Sequence, residues 1–219
     1  MWVVGLGVAG LVDCVRGLMR DGFVRGLVDR RVSEFLSVYG AGDGRWFEEL
    51  VFCILTANSS AETGIRCVEA LKARGLIFDG SVGDVARVLR EAGHRFWRVR
   101  AGFIVGARRW VPGLRARVLS FGEPVAMRRW LVSRIKGIGW KESSHFLRNV
   151  GILDVAIIDR HILRVMREYG LISWSGRTLT ESRYLRYERI LKGIAEELGI
   201  PVGVLDLYLW YMRTGKVLK

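Results

Sequence analysis

A lysine and an aspartate are the residues of this sequence whose types and setting are best suited to covalent chemistry. Lys141 follows a Gly-x-Gly motif, and Asp159 ends a short apolar run further along the chain. A neutral amine is a nucleophile that forms Schiff bases, and an ionised carboxylate can stabilise the positive charge that develops on a sugar as its base departs. The pair therefore indicates cleavage of a glycosidic bond in nucleic acid.

Each of the two residues also has a simpler interpretation. Lys141 could contact a DNA phosphate and do nothing more, and Asp159 could serve as the N-cap of a helix that begins at Arg160. Capping and catalysis are compatible, so a capping role for Asp159 does not exclude a catalytic role. The start of the following helix and the neighbouring Trp140 both disfavour a protonated amine at Lys141, which favours the catalytic interpretation.

The residues around the Gly-x-Gly motif predict a helix-hairpin-helix over residues 131–150. Leu131 and Ile135 share a helical face before the motif, and Phe146 and Val150 share one after it. Glycines let a turn approach a ligand closely, and the start of the second helix offers unpaired amides and a positive dipole end. These features suit a phosphate. The predicted DNA-binding residues of the hairpin are Lys136, Gly137, Ile138 and Gly139.

The charge balance indicates a polyanionic partner. The chain has 35 Lys and Arg residues against 22 Asp and Glu, and its formal net charge is +13. We expect the excess of positive charge near the hairpin to share one face with it. The residues concerned are Arg108, Arg109, Arg115, Arg117, Arg128, Arg129, Arg134, Lys136 and Lys141.

Composition argues against several other classes of protein. Residues 1–12 are apolar, but Asp13 and Arg16 interrupt the run before it could span a membrane, so we expect a core helix. The three cysteines are too few for a disulfide framework, which favours an intracellular protein of the cytoplasm or nucleoid. Neither the cysteines nor the three histidines have the spacing of a metal site, so no metal bound by side chains is expected.

Helical periodicity predicts an all-α fold of roughly ten helices with short connections. Apolar positions recur at helical intervals over residues 46–55 and 185–198. Glycines at positions 40, 170 and 199 are predicted to end helices, and Ser81, Ser120 and Thr180 are predicted to begin them. Residues 56–60 combine Thr, Asn and Ser, which cap helices, and are predicted to join two helices.

Two segments carry a family resemblance. Residues 136–151 and 154–164 resemble the helix-hairpin-helix DNA glycosylases, and most closely the archaeal-type 8-oxoguanine DNA glycosylase/AP lyase family. Residues 54–61 and 210–219 are similar to that family's other two recognisable segments. The first forty residues and the intervening parts match by helical character alone.

The resemblance implies a bilobal, all-α fold, with residues 1–219 forming one glycosylase unit and the active site lying between the lobes. In it, Lys141 is the Schiff-base nucleophile and Asp159 is its essential carboxylate partner. The implied base-recognition residues are Trp210, which stacks on the flipped base, and Lys219, whose terminal carboxylate contacts that base. Asn58 and Ser59 are expected to approach the minor groove near the lesion.

The activity implied by the resemblance is excision of 8-oxoguanine followed by strand cleavage through β-elimination. The partner is double-stranded DNA that contains oxidised guanine, and the enzyme is expected to act as a monomer without a membrane. No organic cofactor is expected, although hairpins of this superfamily often hold a monovalent cation through backbone carbonyls. Two alternatives remain at this point. One is a glycosylase/lyase for another oxidised base, and the other is a non-catalytic helix-hairpin-helix module, which would not need Lys141 and Asp159 together.

Overall fold

The chain is built from α-helices joined by short turns. The computed structural model describes residues 7–174, 176 and 179–219, so residues 1–6 of the predicted N-terminal core helix lie outside the described residues. Over the described residues the chain forms twelve α-helices and one 3-10 turn, with no β-strand, which confirms the all-α prediction. None of the helices described is both long and apolar enough to cross a membrane.

The helices divide into two compact units. One unit comprises residues 1–36 and 151–219, and the other comprises residues 37–150. The first contains α1 (Gly7–Arg20), most of α2 (Gly22–Tyr39), α10 (Arg160–Glu168), α11 (Glu181–Leu198) and α12 (Val202–Thr214). The second contains α3 (Asp43–Thr56), α4 (Ala61–Ala73), α5 (Val82–Glu91), α6 (Trp97–Ala107), the 3-10 turn Arg108–Trp110, α7 (Leu114–Leu119), α8 (Pro124–Arg134) and α9 (Trp140–Asn149).

Helix α3 is the core helix of the unit formed by residues 37–150. Its residues from Trp46 onwards are buried apart from the half-buried Glu48, and it packs against α4, α6, α7 and α9. The Trp46 indole donates a hydrogen bond of 2.9 Å to the Val38 carbonyl and meets the Phe146 ring edge-on at 5.8 Å. In the other unit, α12 packs against α1, α10 and α11. The predicted core helix near the N-terminus is confirmed for its described part, where Leu11 and Val12 are fully buried.

Polar caps set most helix boundaries where the sequence predicts them. Ser81 and Thr180 are N-caps that accept hydrogen bonds from backbone amides of α5 and α11, and Gly199 ends α11 with a φ of 69°. The prediction that Ser120 begins a helix is wrong. Ser120 follows the last residue of α7, and its hydroxyl donates to the Arg117 carbonyl. Helix α8 begins instead at Pro124, whose fixed φ suits the first helical position.

The predicted helix-hairpin-helix is formed by α8, residues 135–139 and α9. The turn requires glycine at position 137, where φ is 87° and a Cβ atom would lie 2.5 Å from Phe103 Cδ2. Gly139 is different, because its φ of −104° is open to any residue and a Cβ atom there would meet the flexible end of Glu142 at 3.0 Å. The two glycines of the motif therefore have different structural roles.

We expect Gly137→Ala to lower the free energy of unfolding by about 2–4 kcal/mol, because it adds a strained φ and an overpacked contact with a ring. Gly139→Ala is the matched control and should cost below about 1 kcal/mol, since the Glu142 side chain can shift. Urea unfolding followed by tryptophan fluorescence compares the two variants. Equal losses of stability would show that Phe103 does not confine the turn.

Candidate active site and nucleic-acid interface

The hairpin presents backbone groups and one exposed cation. Lys136 is exposed, whereas the Ile138 side chain is buried with 5% exposure. The DNA contact predicted for Ile138 would therefore involve its backbone and not its side chain. The amide of Gly139 donates to Glu142 Oε2 at 3.1 Å, which satisfies one of the amides at the start of α9. This arrangement leaves a helix start with a positive dipole end beside the Lys136 side chain.

Lys141 lies in the first turn of α9, as the sequence predicts. Its side chain is 27% exposed, and its Nζ lies 3.1 Å from Glu142 Oε1. The guanidinium of Arg128 lies over the ring of the adjacent Trp140, 5.0 Å from the ring centroid. The amine is thus partly shielded from solvent and lies between a helix start and a carboxylate.

Asp159 is the N-cap of α10. Its Oδ1 accepts hydrogen bonds from the amides of His161 and Ile162 at 2.8 and 2.9 Å, so the capping interpretation is confirmed. Within the described residues, Oδ2 accepts no hydrogen bond. One oxygen therefore fixes the orientation of the carboxylate, and the other is open to a ligand.

The extended segment that precedes Asp159 is held by two residues that sequence reasoning missed. Glu188 accepts from the Ala156 amide at 2.9 Å. The Tyr184 hydroxyl donates to the Ala156 carbonyl at 2.7 Å and accepts from the Ile158 amide at 3.0 Å. Both residues are on α11 and are at least 97% buried. A Tyr and a Glu one turn apart on the buried face of a helix indicate that both need hydrogen-bond partners. The sequence does not identify those partners, because they lie far away along the chain.

Trp210 lies in the same unit as Asp159, and its ring contacts His161, which is two residues beyond Asp159 in the chain. The rings of His161 and Trp210 meet edge-on at 4.8 Å. Burial lowers the pKa of His161, although the Asp159 carboxylate opposes this, so its ring favours the neutral form. The Trp210 Nε1 is buried and has no hydrogen-bond partner among the described residues. It is therefore a donor that a ligand could satisfy.

The C-terminal residues turn back after α12. Gly215 has a φ of 68°, and the Thr214 hydroxyl donates to the Trp210 carbonyl at 2.9 Å and accepts from the Lys216 amide at 3.2 Å. Val217 is buried, and Lys219 is half-buried. Local hydrogen bonds and burial therefore hold this segment in place next to α12.

The predicted minor-groove turn connects α3 to α4. Asn58 is exposed and has a left-handed φ of 59°, and Ser59 is half-buried. Ser60 caps α4 by accepting from the Thr63 amide at 3.1 Å. Below the turn, Arg100 on α6 donates from Nη2 to the Ala57 carbonyl at 2.8 Å. The turn therefore presents the side chain of Asn58 while a buried cation holds its backbone.

The expectation that the arginines near the hairpin share an exposed face is wrong for two of them. Arg128 is fully buried and donates to Ser144 Oγ at 3.1 Å. Arg108 donates to backbone carbonyls of residues 76–80 and stabilises that loop. An arginine can be buried because its guanidinium group donates hydrogen bonds to several acceptors at once. Arg109, Arg117, Arg129, Arg134 and Lys136 are exposed, and their common face with the hairpin stays a prediction.

The hairpin also has oxygen atoms of the kind that bind a monovalent cation. The carbonyls of Lys136, Gly137 and Ile138 accept no hydrogen bond from the described residues. Neutral carbonyl oxygens are the usual protein ligands of such cations, so this donor set fits one.

Comparison with known proteins gives a consistent result. A family model described as 8-oxoguanine DNA glycosylase matches residues 28–200. The chain is 47% identical over 212 residues to the 8-oxoguanine DNA glycosylase/AP lyase of Korarchaeum cryptofilum, which covers 96% of this chain and 100% of that protein. Its relative from Methanocaldococcus jannaschii is 46% identical over 201 residues, which are 92% of this chain and 96% of that protein.

Solved structures agree with the sequence comparisons. The M. jannaschii 8-oxoguanine glycosylase/lyase in complex with a 15mer DNA containing 8-oxoguanine matches with a TM-score of 0.90 and 44% identity, covering 95% of this chain and 99% of that chain. The 8-oxoguanine DNA glycosylase of Thermotoga maritima matches with a TM-score of 0.87 and 41% identity, covering 97% of this chain and 100% of that chain. The resemblance in residues 136–164 is confirmed, and the chain belongs to the 8-oxoguanine DNA glycosylase family.

Proposed function

We propose that this protein is a bifunctional repair enzyme that excises 8-oxoguanine from duplex DNA and then cleaves the strand at the abasic site. The observation that carries the proposal is Lys141, a half-buried amine at the start of α9 and directly beyond the hairpin, in a chain that belongs to this family. The enzyme acts as a monomer inside the cell. Its basic hairpin face binds the phosphates of the damaged strand.

Base release uses Lys141 as the nucleophile. The neutral Nζ attacks C1′ of the damaged nucleotide, the bond between C1′ and the base breaks, and the base leaves with the bonding electrons and takes up a proton. Asp159 stabilises the positive charge that develops on the sugar through Oδ2, while two amides of α10 hold Oδ1 and so fix the orientation of the carboxylate. The attacking nitrogen then loses one proton, and its lone pair forms a C=N bond as the C1′–O4′ bond breaks. O4′ takes up a proton, so the sugar ring is open and an iminium ion joins C1′ to Nζ.

Strand cleavage follows from the same covalent intermediate. The iminium ion acidifies the C2′ hydrogen, a base removes this proton, and the C3′–O bond breaks with departure of the 3′ phosphate. Hydrolysis of the imine then returns the free amine of Lys141. One nucleophile therefore supports both the glycosylase and the lyase activities.

Recognition of the damaged base is assigned to Trp210 and Lys219. The indole of Trp210 stacks on the flipped base, and the terminal carboxylate of Lys219 accepts a hydrogen bond from it. 8-Oxoguanine carries a hydrogen on N7, which guanine lacks, so an acceptor at that position distinguishes the two bases. Asn58 and Ser59 lie at the minor groove beside the lesion.

A monovalent cation bound by the carbonyls of residues 136–138 would supply positive charge next to a phosphate. The amides of the hairpin and the Lys136 side chain bind that phosphate in the same place. These contacts position the protein without reading the base.

We expect Lys141→Gln to abolish both base release and the adduct trapped by borohydride, because it removes the amine and leaves the hairpin amides in place. Binding to lesion-containing duplex should stay within about threefold of wild type, since phosphate contacts dominate affinity. Trapping gels and fluorescence anisotropy measure the two effects. Lys136→Gln is the control that keeps the nucleophile. A trapped adduct in Lys141→Gln would assign the nucleophile to another residue.

Asp159→Asn should lower the single-turnover rate of base release by about 10²-fold or more, because the neutral amide does not offset positive charge on the sugar. The Asn side chain keeps an oxygen that caps α10, so the thermal midpoint should change little. Rapid-quench kinetics and thermal unfolding together separate catalysis from capping. A near-normal rate in a stable variant would leave Asp159 with the cap as its whole role.

Adding a short Gly/Ser tail after Lys219 should slow the release of 8-oxoguanine about tenfold or more, because it moves the carboxylate away from the base and a buried hydrogen bond to a charged group contributes about 1.5–3 kcal/mol. Affinity for undamaged duplex should be nearly unchanged. Single-turnover kinetics on matched duplexes compare the native and extended ends. Equal rates would exclude the terminal carboxylate from recognition.

A further inference from the structure

A groove lies between α6 and α8, next to the hairpin. It has a volume of about 360 Å³, and its lining includes Ile135 and Lys136, which lead into the hairpin turn. Two glycines of α6 one helical turn apart, Gly102 and Gly106, also line it. Apart from the backbone of α6 and the neighbouring residues, no heavy atom lies within 4 Å of where a Cβ atom would stand at either glycine. The absence of side chains at these two positions therefore leaves the groove open.

Three cations line this groove. They are Arg109, Arg134 and Lys136, and all three are exposed. None of them pairs with a carboxylate in the part of the chain that the structure describes. Elsewhere in the same unit an exposed arginine does have such a partner, as Arg87 has Asp84 at 2.8 Å. Like charges around one groove repel each other, and an anion bound in the groove would offset that repulsion.

Aromatic packing supports Arg109. Its guanidinium lies over the ring of Trp110, 5.1 Å from the ring centroid, and Trp110 meets the ring of Trp130 on α8 edge-on at 5.2 Å. Arg117 lies over the same Trp110 ring at 5.7 Å. A guanidinium that rests on an aromatic face is already partly ordered in the free protein, so it loses less conformational freedom when it binds an anion.

The lining of the groove suits the backbone of a nucleic acid. The cations can bind phosphates, and Phe103 and Val132 provide apolar surface for the sugar between two phosphates. The groove is also continuous with the hairpin, because Lys136 belongs to both. A strand whose phosphate lies at the hairpin would carry further phosphates beside it. DNA bound at the hairpin is therefore the polyanion best placed to fill the groove.

We propose that the groove between α6 and α8 is a second binding site for the DNA backbone, which holds the same strand as the hairpin. The inference rests on the proposed binding of DNA by the hairpin. Arg109 and Arg134 bind phosphates next to the one at the hairpin, and the open space at Gly102 and Gly106 admits the strand. Contacts of this kind position the protein without reading the bases, so the groove increases affinity for damaged and undamaged duplexes alike.

A steric probe tests the groove without changing its charge. Gly106→Leu places a side chain in the open space, and leucine has a higher helix propensity than glycine, so the thermal midpoint should not fall. Gly193→Leu is the matched control. Gly193 is likewise an exposed glycine inside a helix, with no heavy atom within 4 Å beyond its own helix backbone and neighbours, but it lies in α11 and does not line the groove.

The first measurement is the affinity for an undamaged duplex over a series of salt concentrations, read by fluorescence anisotropy. We expect Gly106→Leu to weaken binding about three- to tenfold and to lower the slope of log K against log salt by about one, although its charge equals that of wild type. Arg109→Gln combined with Arg134→Gln should lower the slope by about two. Arg87→Gln and Gly193→Leu should keep the wild-type slope.

The second measurement locates the groove along the DNA. The duplexes carry a reduced abasic-site analogue, which fixes the position of the protein and cannot form an imine, and they are shortened on one side or the other. The difference in affinity between wild type and Gly106→Leu should disappear on shortening one side and persist on shortening the other. This result is expected because the groove holds the strand on a single side of the hairpin.

Wild-type affinity and salt slope in a folded Gly106→Leu would overturn the inference and leave the groove to another occupant, such as an acidic peptide. A difference that survives shortening on both sides would also overturn it. If Gly106→Leu does not fold, Gly102→Leu and the double arginine variant decide the question by the same slopes. Failure of the proposed function looks different. Wild type would then give no trapped adduct with lesion-containing DNA, while the undamaged duplex would still report on the groove.

Discussion

The close approach of the hairpin backbone to Phe103 is the constraint on which the DNA-binding surface depends. The absence of a side chain at Gly137 lets the turn rest on that ring, and Arg100 lies beside the same contact. Packing against α6 therefore fixes the conformation of the hairpin in the free protein. Preformed amides lose little conformational freedom on binding, and they also hold the start of α9, and with it Lys141, in one orientation.

Carboxylates in this basic chain fix the backbone next to each candidate catalytic group. Glu142 holds the Gly139 amide beside Lys141, and Asp159 caps α10 with one of its own oxygens. Glu188 holds the Ala156 amide in the segment that leads to Asp159. An ionised acceptor forms shorter and stronger hydrogen bonds to amides than a neutral one.

Much of the local structure follows from the sequence, because caps, turns and helical faces depend on neighbouring residues. The N-caps at Ser81 and Thr180, the helix-hairpin-helix and the cap formed by Asp159 were all predictable in this way. Ser120 was misassigned because Pro124 is the stronger start signal for the next helix. The contacts of Arg100 and Tyr184 were not predictable, since their partners lie more than 20 residues away in sequence. For the same reason, composition alone did not distinguish the buried Arg128 from an exposed arginine.

On the proposed assignment, damage selectivity does not come from the hairpin. The hairpin amides and Lys136 would bind phosphates, which are the same in damaged and intact DNA. Asn58 presents a short polar side chain from a turn in which the Ala57 carbonyl accepts a hydrogen bond from the buried Arg100. Discrimination therefore has to lie with groups that touch the base. The best candidates are in the unit that carries Asp159, where the rings of His161 and Trp210 meet edge-on and the buried Trp210 Nε1 has no hydrogen-bond partner among the described residues. Under the proposed function, binding and discrimination therefore depend on different residues, and substitutions in each set should separate affinity from selectivity.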